Sequence, residues 1–239
     1  MRRNPDKYAV INYMACQDGF ITSHAVENIE LETDEMVQNF VGTYNPENYL
    51  LKHENPLAVG PYGISPYYME AKVAQANAMK NAKKVILEVG KKFGDMENPL
   101  EAYKMEDAET AVVLIGSSAG TARETVDELR AQGRKVGMIK VRVFRPFPFE
   151  EIAQALSGCK AVAVLDKDES FSTAGGPLFA ETRSAMYDLD NRPKAINYVY
   201  GLGGRDFRVE DCTYIFDELD KIVETGKTGE VYRHIGQRE

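Results

Sequence analysis

"AVVLIGSSAGTARETVDELRAQGRKVGMIKVRV", residues 111–143, decides the fold class. Its first part, "AVVLIG" (111–116), is apolar without alternation, the pattern of a strand buried on both faces. Small residues then turn the chain. Thr121 and Glu124 have the spacing of a capping box, which predicts a helix from Thr121 to Gln132, and Gly133 supplies the stop. The next apolar run, "KVGMIKVRV" (135–143), is a second strand. Two buried strands joined by one helix form a βαβ crossover, and such a connection makes the strands parallel. Downstream the unit recurs: a helix near Pro148 to Leu156, strand "AVAVLD" (161–166), a helix near Pro177 to Leu189, strand "KAINYVY" (194–200) and a helix near Asp211 to Thr225. The expected fold class is therefore α/β, three layers (α/β/α) around a mainly parallel sheet. The tail after Gly226, "KTGEVYRHIGQRE", is polar and is expected to be loosely held.

Upstream the pattern is different. "YAVINYMAC" (8–16) predicts a strand ended by "QDG", and "SHAVENIE" (23–30) and "TDEMVQNFVG" (33–42) predict short helices capped by Ser23 and Thr33. Residues 51–65 are broken by proline and glycine and read as a loop. A long helix follows from Pro66 to Phe93, opened by Ser65 and stopped by Gly94. Met69, Val73, Met79, Ile86, Val89 and Phe93 fall mostly on one of its faces, an apolar stripe expected to pack as core.

Composition narrows the function classes. With 44% hydrophobic residues the 239-residue chain has apolar side chain for a sizeable core. The net charge of −8 disfavours a nucleic-acid or anionic-membrane partner. Cys16, Cys159 and Cys212 are too far apart for an iron–sulfur run, so any cluster is expected on another polypeptide. An odd cysteine count, no signal-peptide core and no eighteen-residue apolar stretch lead to a cytoplasmic reading.

Five stretches carry candidate chemistry. "IGSSAGT" (115–121), with Ser117 and Ser118, is a strand-to-helix turn of the kind that holds anions, although it lacks the glycine spacing and lysine of a phosphate loop. "ESFSTAGGP" (169–177) is a second such turn. "FRPFPFEE" (144–151) fixes Arg145 in a stiff bend, either as a functional cation or as a corner paired to a carboxylate. "QDGFITSH" (17–24) places Asp18, Ser23 and His24 past a strand end. "GLGGRD" (201–206) sets Gly203, Gly204, Arg205 and Asp206 past the last strand of the series, where α/β sheets gather ligands and partners. Arg205 and Asp206 read either as an internal pair or as groups offered to a partner. His24, His53 and His234 have no metal-ligand spacing, and no nucleophile–base set is legible, so no catalytic or metal residue is assigned.

"DGFITSH", "EDAETAVVLIGSSAGT", "LRAQGRKVGMIKVRVFRPFP" and "GLGGRD", in this order, resemble the alpha subunit of the 2-oxoacid:ferredoxin oxidoreductases, with the pyruvate (pyruvate synthase) branch the best match. The resemblance covers nearly the whole chain, as the later part of that subunit. It implies that residues 1–98 are the end of a thiamine (pyrimidine-type) domain with its long helix and linker. It likewise implies that residues 99–239 are a transketolase C-terminal-like domain II with a polar tail. The implied chemistry is thiamine-dependent decarboxylation of pyruvate, with electrons passed through iron–sulfur clusters to ferredoxin and the acetyl group transferred to coenzyme A. The implied partners are thiamine-binding, gamma and ferredoxin-like subunits, and ferredoxin itself. The part of the family's first module that supplies its thiamine-activating glutamate is not in this sequence, nor is a Gly-Asp-Gly…Asn pattern for a Mg2+ diphosphate. The chain alone is therefore expected to bind no cofactor and to be inactive. Thiamine diphosphate, Mg2+, 4Fe–4S clusters and coenzyme A belong to the assembled enzyme, completed by a separate polypeptide or by the rest of a longer subunit. Asp18, Ser23, His24, Ser117, Ser118, Arg145 and Gly203–Asp206 are then candidates for a coenzyme A or subunit surface. The competing reading is a free-standing α/β module that binds a small molecule or phosphate at "GSSAGT".

Overall fold

The apolar runs become strands β1 (Leu100–Tyr103), β2 (Thr110–Leu114), β3 (Val136–Val141), β4 (Ala161–Asp166), β5 (Lys194–Val199) and β6 (Tyr232–His234). The computed structural model describes residues 14–19, 21–43, 53–54, 68–94, 96–172 and 174–237. The chain divides into two compact units, Met1–Ala15 with Ala25–Asp95, and Cys16–His24 with Met96–Glu239.

The second unit holds one sheet in the order β1-β3-β2-β4-β5-β6, parallel throughout except for β1, which pairs antiparallel with β3. Helices α3 (Ser118–Ala131) and α6 (Val209–Thr225) cover one face, and α4 (Phe149–Leu156) and α5 (Pro177–Met186) cover the other. Successive strand residues therefore enter opposite cores. Val112 and Leu114 of β2 pack toward α3 and α6, while Ala111 and Val113 pack toward α4 and α5. Burial on both faces explains the unbroken apolar runs. β3 lies on one side of β2 and β4 on the other, so strand succession reverses there, the kind of switch point at whose carboxyl edge α/β sheets gather ligands.

Three expectations need correction in this unit. α3 begins at Ser118, a turn earlier than the Thr121–Glu124 spacing implies, and has no local side-chain cap. Thr121 lies inside the helix, and its hydroxyl donates instead to the Phe207 carbonyl at 3.5 Å. "LEAY" forms the edge strand β1, too short to stand out as a run, and Arg123 and Arg142 both pair with its Glu101. The polar tail is not loose. It adds β6 in parallel to β5 and is stapled by Arg233, which donates to the Tyr198 hydroxyl at 3.0 Å, Glu218 Oε2 at 2.8 Å, the Thr228 carbonyl at 2.6 Å and the Glu230 carbonyl at 2.7 Å. One planar fork answers four acceptors, which a lysine ammonium has no geometry to copy. Arg233→Ala is expected to cost about 1.5–3 kcal/mol, and Arg233→Lys is expected to recover little of it. Amide exchange would accelerate over 227–237 and stay slow in β2 and β4; unchanged protection of the tail refutes this account.

In the first unit, α1 (Asp34–Val41) forms as expected, with Thr33 Oγ1 accepting the Met36 N–H at 3.3 Å and Gly42 closing it. Residues 25–33 carry no helix, in contrast to the expectation for "SHAVENIE". The Ser23 hydroxyl bonds the His24 ring at 2.9 Å. α2 (Tyr68–Phe93) matches the expected long helix over its described length, and Phe93 meets Phe40 edge to face at 5.1 Å. None of its residues is buried, however, and Met69 remains 72% exposed, so the apolar stripe is not a core among the described residues. The predicted strand at 8–13, most of the loop at 51–65 and the Ser65–Pro66 cap lie outside the described residues. No helix among the described residues is long and apolar enough to cross a membrane.

Candidate functional site

Parallel strands deliver their following loops to one edge, so residues 115–117, 142–148, 167–172, 174–176 and 200–208 all leave the sheet at its carboxyl end. Cys16–His24 joins them there. The Asp18 carboxylate accepts the backbone N–H of Ser117, and Lys167 Nζ stands 3.8 Å from its other oxygen. Gly116 makes this approach feasible. Its φ of +83° suits glycine, and a Cβ there would lie 2.9 Å from Asp18 Oδ2. Burial opposes the Asp18 charge, but hydrogen bonds from Ser117 and the nearby Lys167 and Lys140 outweigh it and hold the carboxyl below its ordinary value.

The neighbouring contacts tie this corner to "GLGGRD". Ser118 is buried, and burial pushes the Tyr200 hydroxyl pKa up to about 12 against a lowering influence from Ser118. Lys167 lies 5.6 Å above the Tyr200 ring, and that ring packs on Phe207 at 4.8 Å. Gly201, Gly203 and Gly204 all take positive φ around a single 3-10 turn, Leu202–Gly204, which the three glycines permit. The turn leaves Leu202, Arg205 and Asp206 exposed. Arg205 and Asp206 form no ion pair with each other or with another described residue.

Arg145 belongs to a different neighbourhood. Its guanidinium donates to Glu181 of α5 at 2.6 Å and to the Phe144 carbonyl at 2.9 Å, and it stacks 4.2 Å from the Phe144 ring centroid. These are the contacts of a paired corner. Ser23 and His24 are exposed and contact each other.

Sequence reading missed a second carboxylate on this edge. Asp166, 4% exposed at the end of β4, accepts the N–H groups of Leu178 at 2.8 Å and Phe179 at 3.2 Å, the first turn of α5. It also accepts Asn197 Nδ2 at 2.9 Å. Asn197 is fully buried, donates to the Val164 carbonyl at 2.9 Å and accepts the Gly176 N–H at 2.9 Å. Burial raises the Asp166 carboxyl above its ordinary value, against the lowering effect of Leu178, Asn197 and Phe179, and Asp168 adds to the rise. The signal was present in the sequence: an asparagine inside the apolar run "KAINYVY" needs buried partners.

Among the described residues no group of three His, Cys, Asp or Glu side chains is placed to hold a metal ion. α1 and α2 bury no residue, so the described residues do not by themselves fit a pocket for thiamine diphosphate and its Mg2+.

Two family models match in chain order. "Pyruvate flavodoxin/ferredoxin oxidoreductase, thiamine diP-bdg" matches residues 7–91, and "Pyruvate:ferredoxin oxidoreductase core domain II" matches residues 108–212. The chain belongs to the 2-oxoacid:ferredoxin oxidoreductase family. Among its relatives in this family, pyruvate synthase subunit PorA of Thermotoga maritima is 42% identical over 226 residues, 93% of this chain and 57% of that one. Pyruvate synthase subunit PorA of Methanocaldococcus jannaschii is 36% identical, over 87% of this chain and 54% of its own. Ketoisovalerate oxidoreductase subunit VorA of Pyrococcus horikoshii is 41% identical, over 90% and 55% respectively. The chain spans little more than half the length of these relatives.

Proposed function

We propose that this chain is a non-catalytic part of the alpha subunit of a pyruvate (2-oxoacid):ferredoxin oxidoreductase. The enzyme it serves converts pyruvate and coenzyme A to acetyl-CoA and carbon dioxide with electrons delivered to ferredoxin, or runs the reverse synthesis, in the cytoplasm. Thiamine diphosphate, when bound in the assembled enzyme, supplies the stabilised carbanion chemistry of decarboxylation. This chain contributes a rigid α/β unit and an exposed carboxyl-edge loop. The observation that carries the reading is the ordered match to two modules of one enzyme along a single chain. The bare apolar stripe of α2 supports it, since a 26-residue helix with no buried residue needs a covering partner for stability. That partner is the remainder of the thiamine-binding module. Arg205 and Asp206, exposed and unpaired among the described residues, then face another subunit or the coenzyme A approach.

Co-expression with thiamine-binding, gamma and ferredoxin-like subunits tests this. The chain is expected to co-purify with an iron-bearing complex that reduces a viologen dye only with pyruvate and coenzyme A, and to be inert alone. Arg205→Ala is expected to leave stability within about 0.5 kcal/mol and to weaken assembly or raise the KM for coenzyme A about ten-fold or more, the loss of one charge-assisted contact. A chain that elutes alone from the co-expressed set, or a complex equally active without it, ends the proposal.

A further inference from the structure

α3 has fourteen residues, no local side-chain cap and no acidic residue in its first turn; the Ala119 and Gly120 N–H groups already donate to the Gly116 and Ser117 carbonyls, so it is the Ser117 N–H and the positive dipole end that call for an anion. A glycine turn with positive φ precedes it, and a lysine from the next strand's loop stands beside it. These are the parts of an anion seat at the point where strand order reverses. The anion is already there, and it is covalently part of the chain. Asp18 arrives from 99 residues away, takes the Ser117 N–H, and sits 3.8 Å from Lys167 with only 17% of its side chain exposed. Its own backbone carbonyl accepts the Ser23 N–H at 3.1 Å, closing residues 18–23 into a turn that aims the carboxylate. The fit is close enough that a methyl group at Gly116 would press on the carboxylate.

We infer that the switch-point anion seat of the second unit is filled in cis by Asp18, which clasps Cys16–His24 onto this unit where a phosphate or free carboxylate would otherwise bind. The seat is a clasp, and "GSSAGT" takes no phosphate while the clasp is closed. The neighbouring helix follows the same plan, because the N–H groups of α5 are met by Asp166, so both of these helix starts on the edge are satisfied by carboxylates from outside the helix. The inference does not depend on which oxidoreductase complex the chain joins. It also removes the geometric basis of the phosphate-module reading. Any phosphate of a substrate carrier must then be held elsewhere in an assembly.

The test uses the full 239-residue chain and inorganic phosphate, with chloride controls of equal ionic strength. The wild-type melting temperature is expected to show no phosphate-specific rise. Asp18→Ala is expected to melt lower without phosphate and to gain about 5–10 °C at phosphate a hundred times its Kd. Limited proteolysis within 16–24, measured without phosphate, is expected to be faster in this variant than in the wild type. Asp18→Asn keeps an acceptor and drops the charge, so it is expected to show a smaller phosphate response, and it decides the matter if the alanine variant does not fold. A wild-type response equal to the variants', or folded variants with no phosphate response, overturns the inference.

Discussion

Replacing Asp166 with alanine is expected to lower stability by about 3–6 kcal/mol, roughly 10–20 °C in Tm for a unit of this size, the largest single effect foreseen for an uncrowded substitution in this chain. The side chain accepts three donors, the N–H groups of Leu178 and Phe179 and the Asn197 amide, in a place from which water is excluded. Alanine leaves all three without an acceptor, at about 1–3 kcal/mol for each buried group. Asparagine is no neutral exchange either, because its amide NH2 would face one of the N–H donors that the carboxylate accepts. The pH dependence has a definite sign. The carboxyl is raised in the folded state from its ordinary value of 3.8, so the folded protein holds the proton more tightly than the unfolded chain. The stability this contributes is complete below that ordinary value and is lost as pH rises through the folded value. Urea denaturation from about pH 3.5 upward, wild type minus Asp166→Asn, should show this falling component; a flat difference with a small offset would show that the carboxylate is neither buried nor coupled as described.

Gly176→Ala is expected to destabilise by about 3–5 kcal/mol, at the upper end for a single added methyl group. The backbone there has an ordinary φ of −71°, so the effect is not conformational strain. It is a collision: a Cβ at Gly176 would lie 2.1 Å from Asp166 Cγ and 2.4 Å from its Oδ2. The carboxylate must leave its three donors to make room, which predicts a particular double-mutant result. Once Asp166 is alanine, the methyl group at 176 has far less to displace, and the combined loss should fall short of the sum of the single losses by about 1–3 kcal/mol. Strict additivity, measured by equilibrium denaturation of the four proteins, would falsify the shared mechanism. By contrast Gly175, with φ of +86° and Asn197, Phe179 and Tyr232 all within 2.9 Å of its missing Cβ, combines strain with crowding. The "AGGP" turn is thus tight because buried side chains press on it from beneath.

Much of this was written into the local sequence. The doubly buried strands announce themselves as unbroken apolar runs, and the first crossover helix is stopped by Gly133; strands that alternate with single helices in this way dictate a mainly parallel, three-layered sheet. The four ordered motifs likewise carried the family. Local patterns failed wherever the partner lay far along the chain. Thr121 and Glu124 have the spacing of a cap, yet α3 starts earlier because Asp18 caps it from 99 residues away. "KTGEVYRHIGQRE" reads as loose because its polar side chains match nothing nearby, but Arg233 finds Tyr198 and Glu218 only once β5 and α6 are in place. "AGGP" resembles a ligand turn in sequence, and only the meeting of β4, β5 and α5 shows that Asp166 and Asn197 fill it. Periodicity encodes which face of an element is buried; it does not encode which remote donor or acceptor a polar group will meet there, and at this carboxyl edge those remote meetings, made by tertiary packing, decide what the loops can hold.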